Sequence, residues 1–403
     1  MLISERCRNI NPSKTLLIAE QAAAMREAGQ DIIFMNAGEP DFDTPLHIKA
    51  AAMEGIQEGN TKYTPVGGTI QLKQAIVDKL KRENELDYET NEVMATAGAK
   101  QAIFNALMAT VNKGDEVIIQ APYWTSYPEM IKLAGADPVI LPTHADSNFK
   151  IKSRQLSDAI TPFTKMIILN SPSNPTGSYY TEEDLQMLAN VLVDHPKILI
   201  LSDDVYEKIL WDQEQFKNIV NTVPSFKNRS IVVNALSKSY AMTGWRLGYV
   251  AASAQIVEAM TKIQSQTTSN PCSISQVAAV AALSKNSQQS IEEMVSKYHN
   301  RYNYVAERIS TLPGLTLSEA KGSLYAFPDA TGLIQALKLK DDIELCQFLI
   351  EKAKVSVVPG SAFGAPNHIR LSYATSRSMI EKAFNRIEAA INEIIPNNNE
   401  TES

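Results

Sequence analysis

The chain has 403 residues, a formal net charge of −7, and a composition that is 44% hydrophobic and 21% charged. This much apolar material supplies a sizeable core and excludes a disordered chain, and the length predicts two to three domains or one large α/β unit with an appendage. The mild acidity argues against a general nucleic-acid binder, although it leaves room for a local cationic pocket that takes an acidic metabolite.

The cysteines and the first residues predict a cytoplasmic protein. Cys7, Cys272 and Cys346 are odd in number and far apart, so we expect free thiols rather than a disulfide framework, and we expect no metal site. Residues 1–6 lack the basic-then-apolar pattern of a signal peptide. No apolar run approaches the ~18 residues needed to span a bilayer, so no membrane partner is expected.

Short apolar runs alternate with helical patterns through the middle of the chain. The runs predicted as strands are 116–120, 165–169, 197–201 and 230–233. Near-continuous apolar runs of this kind are typical of parallel strands that are covered on both faces. Between two of them, Thr181 is a predicted helix N-cap to which Asp184 reaches back. The alternation predicts an α/β fold, in which helices flank a mostly parallel sheet.

The last third of the chain predicts a smaller α+β domain. A long helix through Tyr298 and Arg308 precedes short strands near 322–327, 355–358 and 368–373. The predicted division is an N-terminal segment that packs on the small domain (1–45, its helix starting at 11–13), a large cofactor-binding domain (46–300), a small C-terminal domain (301–395) and a polar tail (396–403).

Polar residues follow the predicted strands at the ends where open α/β sheets bind their ligands. Lys238 follows one strand, Asp203 another and Asn174 a third. Taken singly, each has a plain structural explanation: a surface charge, a helix cap and a turn. Their joint position at one edge of the sheet is what predicts a shared site.

Seven motifs along the chain carry a family resemblance. They are Asn36-Ala37-Gly38-Glu39-Pro40-Asp41-Phe42, Lys62-Tyr63-Thr64-Pro65, Pro122-Tyr123-Trp124, Asn174-Pro175-Thr176-Gly177, Asp203-Asp204-Val205-Tyr206, Ser237-Lys238 with Gly244-Trp245-Arg246-Leu247-Gly248-Tyr249, and Ile369-Arg370-Leu371-Ser372-Tyr373. In this order, and over nearly the whole chain, they resemble the class I, fold-type I pyridoxal-phosphate aminotransferases, close to the bacterial aspartate aminotransferases of subgroup Ib.

The resemblance implies pyridoxal 5'-phosphate as cofactor and suggests its contacts. Lys238 resembles the lysine that forms a Schiff base with the cofactor and then shuttles the substrate's proton. Asp203 resembles the carboxylate that keeps a proton on the ring nitrogen, and Tyr206 resembles the phenol that hydrogen-bonds the ring oxygen. The other implied contacts are Gly98, Ala99, Lys100, Ser237 and Arg246 around the phosphate, Trp124 stacked on the ring, Asn174 at the ring oxygen, and Tyr63, carried over as a phosphate contact made from the neighbouring subunit.

The resemblance also implies a reaction, in which the amino group of L-aspartate moves to 2-oxoglutarate by a ping-pong mechanism. Arg370 and Gly38 are implied contacts of the substrate's α-carboxylate, with Trp124 and Asn174 beside them, and Lys100 is implied at the distal carboxylate. The implied partners are small amino acids and 2-oxo acids, and the implied assembly is a homodimer with shared active sites.

Two departures and several alternatives accompany this interpretation. Gly98-Ala99 stands where many members of the family have Gly-Gly or Ser-Gly, and no motif marks a partner-chain arginine for the distal carboxylate. The main alternative is a sibling aminotransferase acting on prephenate or aromatic amino acids; decarboxylases, synthases and lyases of the same fold use the same lysine. A nicotinamide dehydrogenase lacks support because no GxGxxG stands at a strand-to-helix turn, and a DNA-binding regulator lacks a segment for its extra module.

Overall fold

The computed structural model describes residues 2–10, 14–211 and 215–395. The predicted helix start at 11–13 and the predicted tail at 396–403 therefore lie outside the described residues. The strands are β1 (Ile33–Phe34), β2 (Val93–Thr96), β3 (Glu116–Ala121), β4 (Asp137–Pro142), β5 (Thr164–Asn170), β6 (Leu199–Asp203), β7 (Ser230–Ala235), β8 (Gly248–Ala251), β9 (Tyr325–Ala326), β10 (Val355–Ser356), β11 (Val358–Pro359) and β12 (Ile369–Ser372).

Helices flank and connect these strands. They are α1 (Glu5–Arg8), α2 (Lys14–Glu27), α3 (Leu46–Gln57), α4 (Ile70–Asn84), α5 (Ala99–Thr110), α6 (Tyr127–Leu133), α7 (Ser153–Ala159), α8 (Glu182–Leu192), α9 (Ile219–Thr222), α10 (Leu236–Ser239), α11 (Ala254–Thr267), α12 (Ser273–Ala282), α13 (Gln288–Thr311), α14 (Thr331–Ala336), α15 (Asp342–Phe348) and α16 (Arg377–Asn392). Within the described ranges, no helix is both long and apolar enough to cross a membrane.

The centre of the fold is a seven-stranded sheet in the order β2-β8-β7-β6-β5-β3-β4. Its strands run parallel except β8, which is antiparallel to both neighbours. Alternate residues enter opposite apolar layers: Ile118 belongs to one cluster, with residues of α3, α4, α7, α8 and α12, whereas Val117 and Ile119 belong to the other, with residues of α5, α6 and α11. Burial on both faces explains the continuous apolar runs, and the predicted α/β fold is confirmed.

The predicted strands are present with small corrections at their ends. The run 197–201 begins as a strand only at Leu199, because residues 196–198 form a turn before β6. The capping box at α8 is present as predicted: the Thr181 hydroxyl accepts from the Asp184 amide, and the Asp184 carboxylate accepts from the Thr181 amide at 2.9 Å. The predicted long helix is α13.

The last third, together with β1, forms two small sheets over a separate apolar cluster. One sheet has the order β11-β12-β9, and the other pairs β1 with β10 in parallel. The prediction of one strand over 355–358 was wrong in detail, because Val357 separates β10 from β11 and the two pair with different partners. The cluster under these sheets includes residues from α13, α15 and α16 together with Tyr206 and Trp211, so it reaches the segment after β6.

A fully buried ion pair ties α4 to that same segment. Lys79 is completely enclosed and donates to Glu207, whose second oxygen accepts from the Asn84 amide at 2.6 Å. Burial alone would raise the pKa of Glu207, but the charges of Lys79 and Lys208 lower it. A buried pair of this kind is strongly destabilising when one partner is removed, since the other charge is then unpaired.

We predict that Lys79→Met lowers the free energy of unfolding by about 3 to 5 kcal/mol, because Glu207 stays buried without its cation. Lys81→Met is the matched control: its side chain is 73% exposed and pairs with Asp87 at 3.4 Å, so we expect little change. Urea titration of both variants measures the difference. Equal losses in the two variants would contradict the role given to the buried pair.

Candidate active site

The ends of three parallel strands bring the predicted site residues together. Asn170, at the end of β5, is paired with Asp203 at the end of β6, and Asp203 is paired with Val233 of β7. Lys238 follows β7 directly, on the short helix α10. Parallel strands place their carboxyl ends on one edge of the sheet, and a cavity of about 330 Å³ lies at this edge.

Most of the predicted site residues line this cavity. They are Gly38, Ala99, Lys100, Trp124, Asn174, Asp203, Tyr206, Ser237, Lys238, Arg246 and Arg370. Gly98 lies behind the lining, against the Arg246 side chain. Tyr63 does not line the cavity of its own chain and is 92% exposed.

Lys238 is held inside the cavity by the segment between β1 and α3. Its ammonium donates to the backbone carbonyl of Gly38. Burial lowers the pKa of Lys238 from its ordinary value. A lysine whose charged form is disfavoured has a larger share of the neutral amine, which is the form that acts as nucleophile or base.

Asp203 is a buried carboxylate facing the same space. The Tyr127 hydroxyl donates to its Oδ2 atom, and the Val205 amide lies 3.4 Å from Oδ1. Burial raises the pKa of Asp203 to about 6, while the hydrogen bond from Tyr127 acts in the opposite direction. Such a carboxylate is suited to pairing with a cation or an N–H donor that enters the cavity.

Arg370 brings a guanidinium into the cavity from β12. It is 3% exposed, and it donates to the Asn174 side-chain oxygen at 3.0 Å and to the Asn36 carbonyl at 2.9 Å. Its Nε atom is buried and has no hydrogen-bond partner. Among the described residues, no carboxylate forms an ion pair with Arg370, so this cation is available to an anionic ligand.

The start of α5 forms an anion cup with Arg246. No side chain caps this helix, and Gly98 at its N-cap has φ +85°. A Cβ atom on Gly98 would lie 2.6 Å from Arg246 Nη2, and one on Gly248 would lie 2.7 Å from the Ala99 nitrogen. Glycine at both positions therefore allows the guanidinium and β8 to approach the helix start, where free N–H groups and the helix dipole favour an anion.

Lys100 extends from this helix start over the Trp124 ring, with its Nζ atom 5.1 Å from the ring centroid. Burial lowers its pKa, and the nearby Arg246 charge adds to the effect. No ion pair with Asp or Glu is formed by Lys100 in the part of the chain that the structure describes. Like Arg370, it is a cation without an anionic partner.

The cavity is therefore cationic on an acidic protein. Its lining has four cationic side chains, Lys100, Lys238, Arg246 and Arg370, and one carboxylate, Asp203. Cations outnumber the carboxylate even when Lys238 is neutral. A concave site of one sign concentrates ligands of the opposite sign, so we infer that the cavity accepts molecules with more than one anionic group.

Sequence reasoning missed several residues of the site. Tyr325 of β9 lines the cavity, with its hydroxyl 3.0 Å from that of Tyr206 and its ring 4.3 Å from the Arg370 guanidinium carbon. The Asn170 side chain donates to the backbone carbonyl of Asp203 at 3.1 Å and accepts from the backbone amide of Asn174 at 2.9 Å. Tyr325 lies in a run predicted only as a strand; Asn170 follows a predicted strand directly, which was an available signal.

Comparison with known proteins identifies the family. A family model described as aminotransferase class I and II matches residues 30–387, and the chain belongs to this family. An aspartate/prephenate aminotransferase of Nitrosomonas europaea is 47% identical over 397 residues, which cover 97% of this chain and 100% of that protein. The predicted family is thereby confirmed.

Solved structures agree over the full fold. The aspartate aminotransferase from Rhizobium meliloti has a TM-score of 0.94 at 42% identity, covering 97% of this chain and 99% of that chain. The aspartate aminotransferase from Thermus thermophilus with maleate has a TM-score of 0.91 at 37% identity, covering 97% of this chain and 100% of that chain.

Proposed function

We propose that this aminotransferase moves the amino group of L-aspartate to 2-oxoglutarate, with pyridoxal 5'-phosphate as its cofactor. The observation that carries the proposal is the pair of cations without carboxylate partners, Arg370 and Lys100, which line one cavity with the buried amine of Lys238. L-Aspartate and 2-oxoglutarate each present two carboxylates and one carbon at which an amine reacts.

The donors of the cavity fit the cofactor. The uncapped start of α5, Ser237 and Arg246 would hold its phosphate, at a cup that a side chain on Gly98 would obstruct. Asp203 would pair with the ring nitrogen, and Trp124 would cover the ring face. When bound, pyridoxal phosphate supplies the electron sink that transamination requires.

The residues around this group have distinct tasks. Lys238 would hold the cofactor's aldehyde carbon and, as a neutral amine, move the proton at the substrate's Cα atom. Asp203 would keep the proton on the ring nitrogen. Tyr206 and the side-chain amide of Asn174 would donate to the ring oxygen. The side-chain oxygen of Asn174 accepts a hydrogen bond from Arg370, so Asn174 would also orient Arg370.

Substrate selection follows from the two cations without carboxylate partners, Arg370 and Lys100. Arg370 has the planar fork that binds a carboxylate at two points, so it would hold the α-carboxylate beside Gly38. Lys100, at the start of α5, would bind the distal carboxylate. The Thermus structure is one with maleate, and maleate is a dicarboxylate. This supports a site that binds two carboxylates.

Prephenate is the second candidate substrate class. The Nitrosomonas relative is named an aspartate/prephenate aminotransferase, and prephenate also carries two carboxylates. Both substrate classes would use the same two cations, so both candidate functions predict a preference for dicarboxylates. An aromatic amino acid has a single carboxylate and leaves Lys100 unpaired.

We further propose a homodimer with shared active sites. Large apolar side chains on both sides of Tyr63 in the sequence are exposed, including Leu46, Met53, Ile56 and Ile70, and exposed apolar side chains favour association. The loop that carries Tyr63 is fixed by the buried Gln276, which contacts Thr64 and Thr69 at 2.9 Å each. A fixed, exposed tyrosine remote from its own cavity is suited to reaching the phosphate of a neighbour.

The assignment of Lys238 is tested by borohydride reduction of the yellow holoenzyme and peptide mass mapping. We expect a pyridoxyl adduct on Lys238, because it follows β7 at the strand ends where Asp203 lies, lines the cavity and has a pKa lowered by burial. Lys238→Ala should retain cofactor weakly and lose nearly all turnover. An adduct on a different lysine, Lys100 included, would refute the assignment.

The role of Lys100 is tested by Lys100→Ser. The catalytic efficiency for aspartate and glutamate should fall by about tenfold to a hundredfold, since an interaction with a charged group contributes roughly 1.5 to 3 kcal/mol. Alanine and phenylalanine should lose much less, because they have no distal carboxylate. Equal losses for acidic and neutral donors would show that Lys100 serves only the phosphate.

Site sharing is tested with heterodimers of Tyr63→Phe and Lys238→Ala subunits, purified through two different tags. If Tyr63 serves the neighbour, one site of each heterodimer has neither lesion and the other has both. Cofactor bound at the site without lesions, which contains the intact Lys238, should then dissociate at the wild-type rate. The Tyr63→Phe homodimer should lose its cofactor faster. A heterodimer that loses cofactor like the Tyr63→Phe homodimer would mean that each subunit is self-contained.

A further inference from the structure

Tyr127 contacts the site from behind Asp203. It begins α6, three residues after Trp124, and is 3% exposed. Its hydroxyl donates to Asp203 Oδ2, and its ring meets the Trp124 ring edge to face, with centroids 5.4 Å apart. One side chain therefore contacts the two residues that would hold the ring of the cofactor.

The contact with Asp203 has no substitute in the surrounding structure. Within residues 2–10, 14–211 and 215–395, Tyr127 is the side chain that donates to this carboxylate, and no Lys or Arg forms an ion pair with it. The backbone contact from Val205 is long, at 3.4 Å. A buried carboxylate with so few donors depends strongly on each one.

The direction of the hydrogen bond is settled by the surroundings of Tyr127. Burial and the adjacent Asp203 charge raise its pKa well above the ordinary value. The hydroxyl thus keeps its proton and is a donor, and a donor favours the ionised form of its acceptor. The packing of the ring and the donation by the hydroxyl are separable, since Phe retains the ring and removes only the hydroxyl.

We propose that Tyr127 is a positioning residue: its hydroxyl fixes one oxygen of Asp203 and keeps the carboxylate ionised, so that the other oxygen faces the ring nitrogen of the cofactor. This inference rests on the proposed function and adds a residue to the machinery that holds the cofactor. Tyr127 acts through Asp203 and does not itself touch the cofactor.

The test compares two ligands of the apoenzyme: pyridoxal phosphate and the analogue in which carbon replaces the ring nitrogen. Tyr127→Phe should weaken binding of pyridoxal phosphate by about tenfold, the scale of one hydrogen bond to a charged group. It should leave the affinity for the carbon analogue unchanged, because that analogue offers Asp203 no nitrogen. Quenching of tryptophan fluorescence measures both affinities.

Tyr180→Phe is the matched control. Tyr180 is also fully buried and its hydroxyl donates to Gln120 at 2.6 Å, but it does not line the cavity or contact Asp203. We expect this variant to bind both ligands like the wild-type protein. Equal weakening of both ligands by Tyr127→Phe, or no weakening of either, would overturn the proposal in favour of simple packing.

A spectroscopic measurement gives an independent reading. Cofactor labelled with ¹⁵N in the ring reports by its chemical shift whether the nitrogen is protonated. The Tyr127→Phe variant should shift the resonance toward the unprotonated position, whereas 3-fluorotyrosine at position 127, a stronger donor of nearly the same shape, should not. An unchanged resonance in the Phe variant contradicts the inference, and failure of the wild-type apoenzyme to bind pyridoxal phosphate would instead contradict the proposed function.

Discussion

Arg370 carries a positive charge into a position where its side chain is buried, and the rest of the site is arranged around that charge. A buried guanidinium is costly unless hydrogen bonds and an anion satisfy it. Asn174 and the Asn36 carbonyl occupy two of its N–H groups, but no acidic side chain of the described residues pairs with it. The fold thus keeps a strong carboxylate-binding group free, at the expense of its own stability, which is a common property of functional sites.

The geometry that makes this arrangement possible comes from the parallel sheet and the small sheet beside it. Strands β5, β6 and β7 end at one edge, which sets Asp203 and Lys238 side by side. Strand β12 brings Arg370 from the other sheet, and the hydroxyl contact of Tyr206 with Tyr325 joins the two at the cavity. Each sheet provides part of a site that neither contains alone.

Much of this could be predicted from the sequence, because the strongest signals are physical ones. Strands β3, β5 and β7 are apolar on both faces and therefore stand out, whereas β4 was missed. It is an edge strand, exposed and containing Pro138 and Pro142, and prolines are tolerated where one side of a strand has no partner. Its sequence thus lacks the pattern that marked the other strands.

The residues of the site also differ in how well the sequence predicts them. Lys238, Asp203 and Arg370 belong to motifs that occur in the same order as in the family, so their position at one cavity was expected. Tyr127 and Tyr325 are buried aromatic residues, and sequence alone does not distinguish them from ordinary core residues. Their importance lies in where their hydroxyls point, which depends on elements distant in the chain.

The account is tested most directly by the choice of amino donor in the unmodified enzyme. Single additions of L-aspartate, L-glutamate, L-alanine and L-phenylalanine to the holoenzyme, followed by the absorbance change of the bound cofactor, give the rate of each half-reaction. A cavity with two cations reserved for ligand carboxylates predicts that aspartate and glutamate react much faster than alanine and phenylalanine. Faster reaction with phenylalanine or alanine would contradict it.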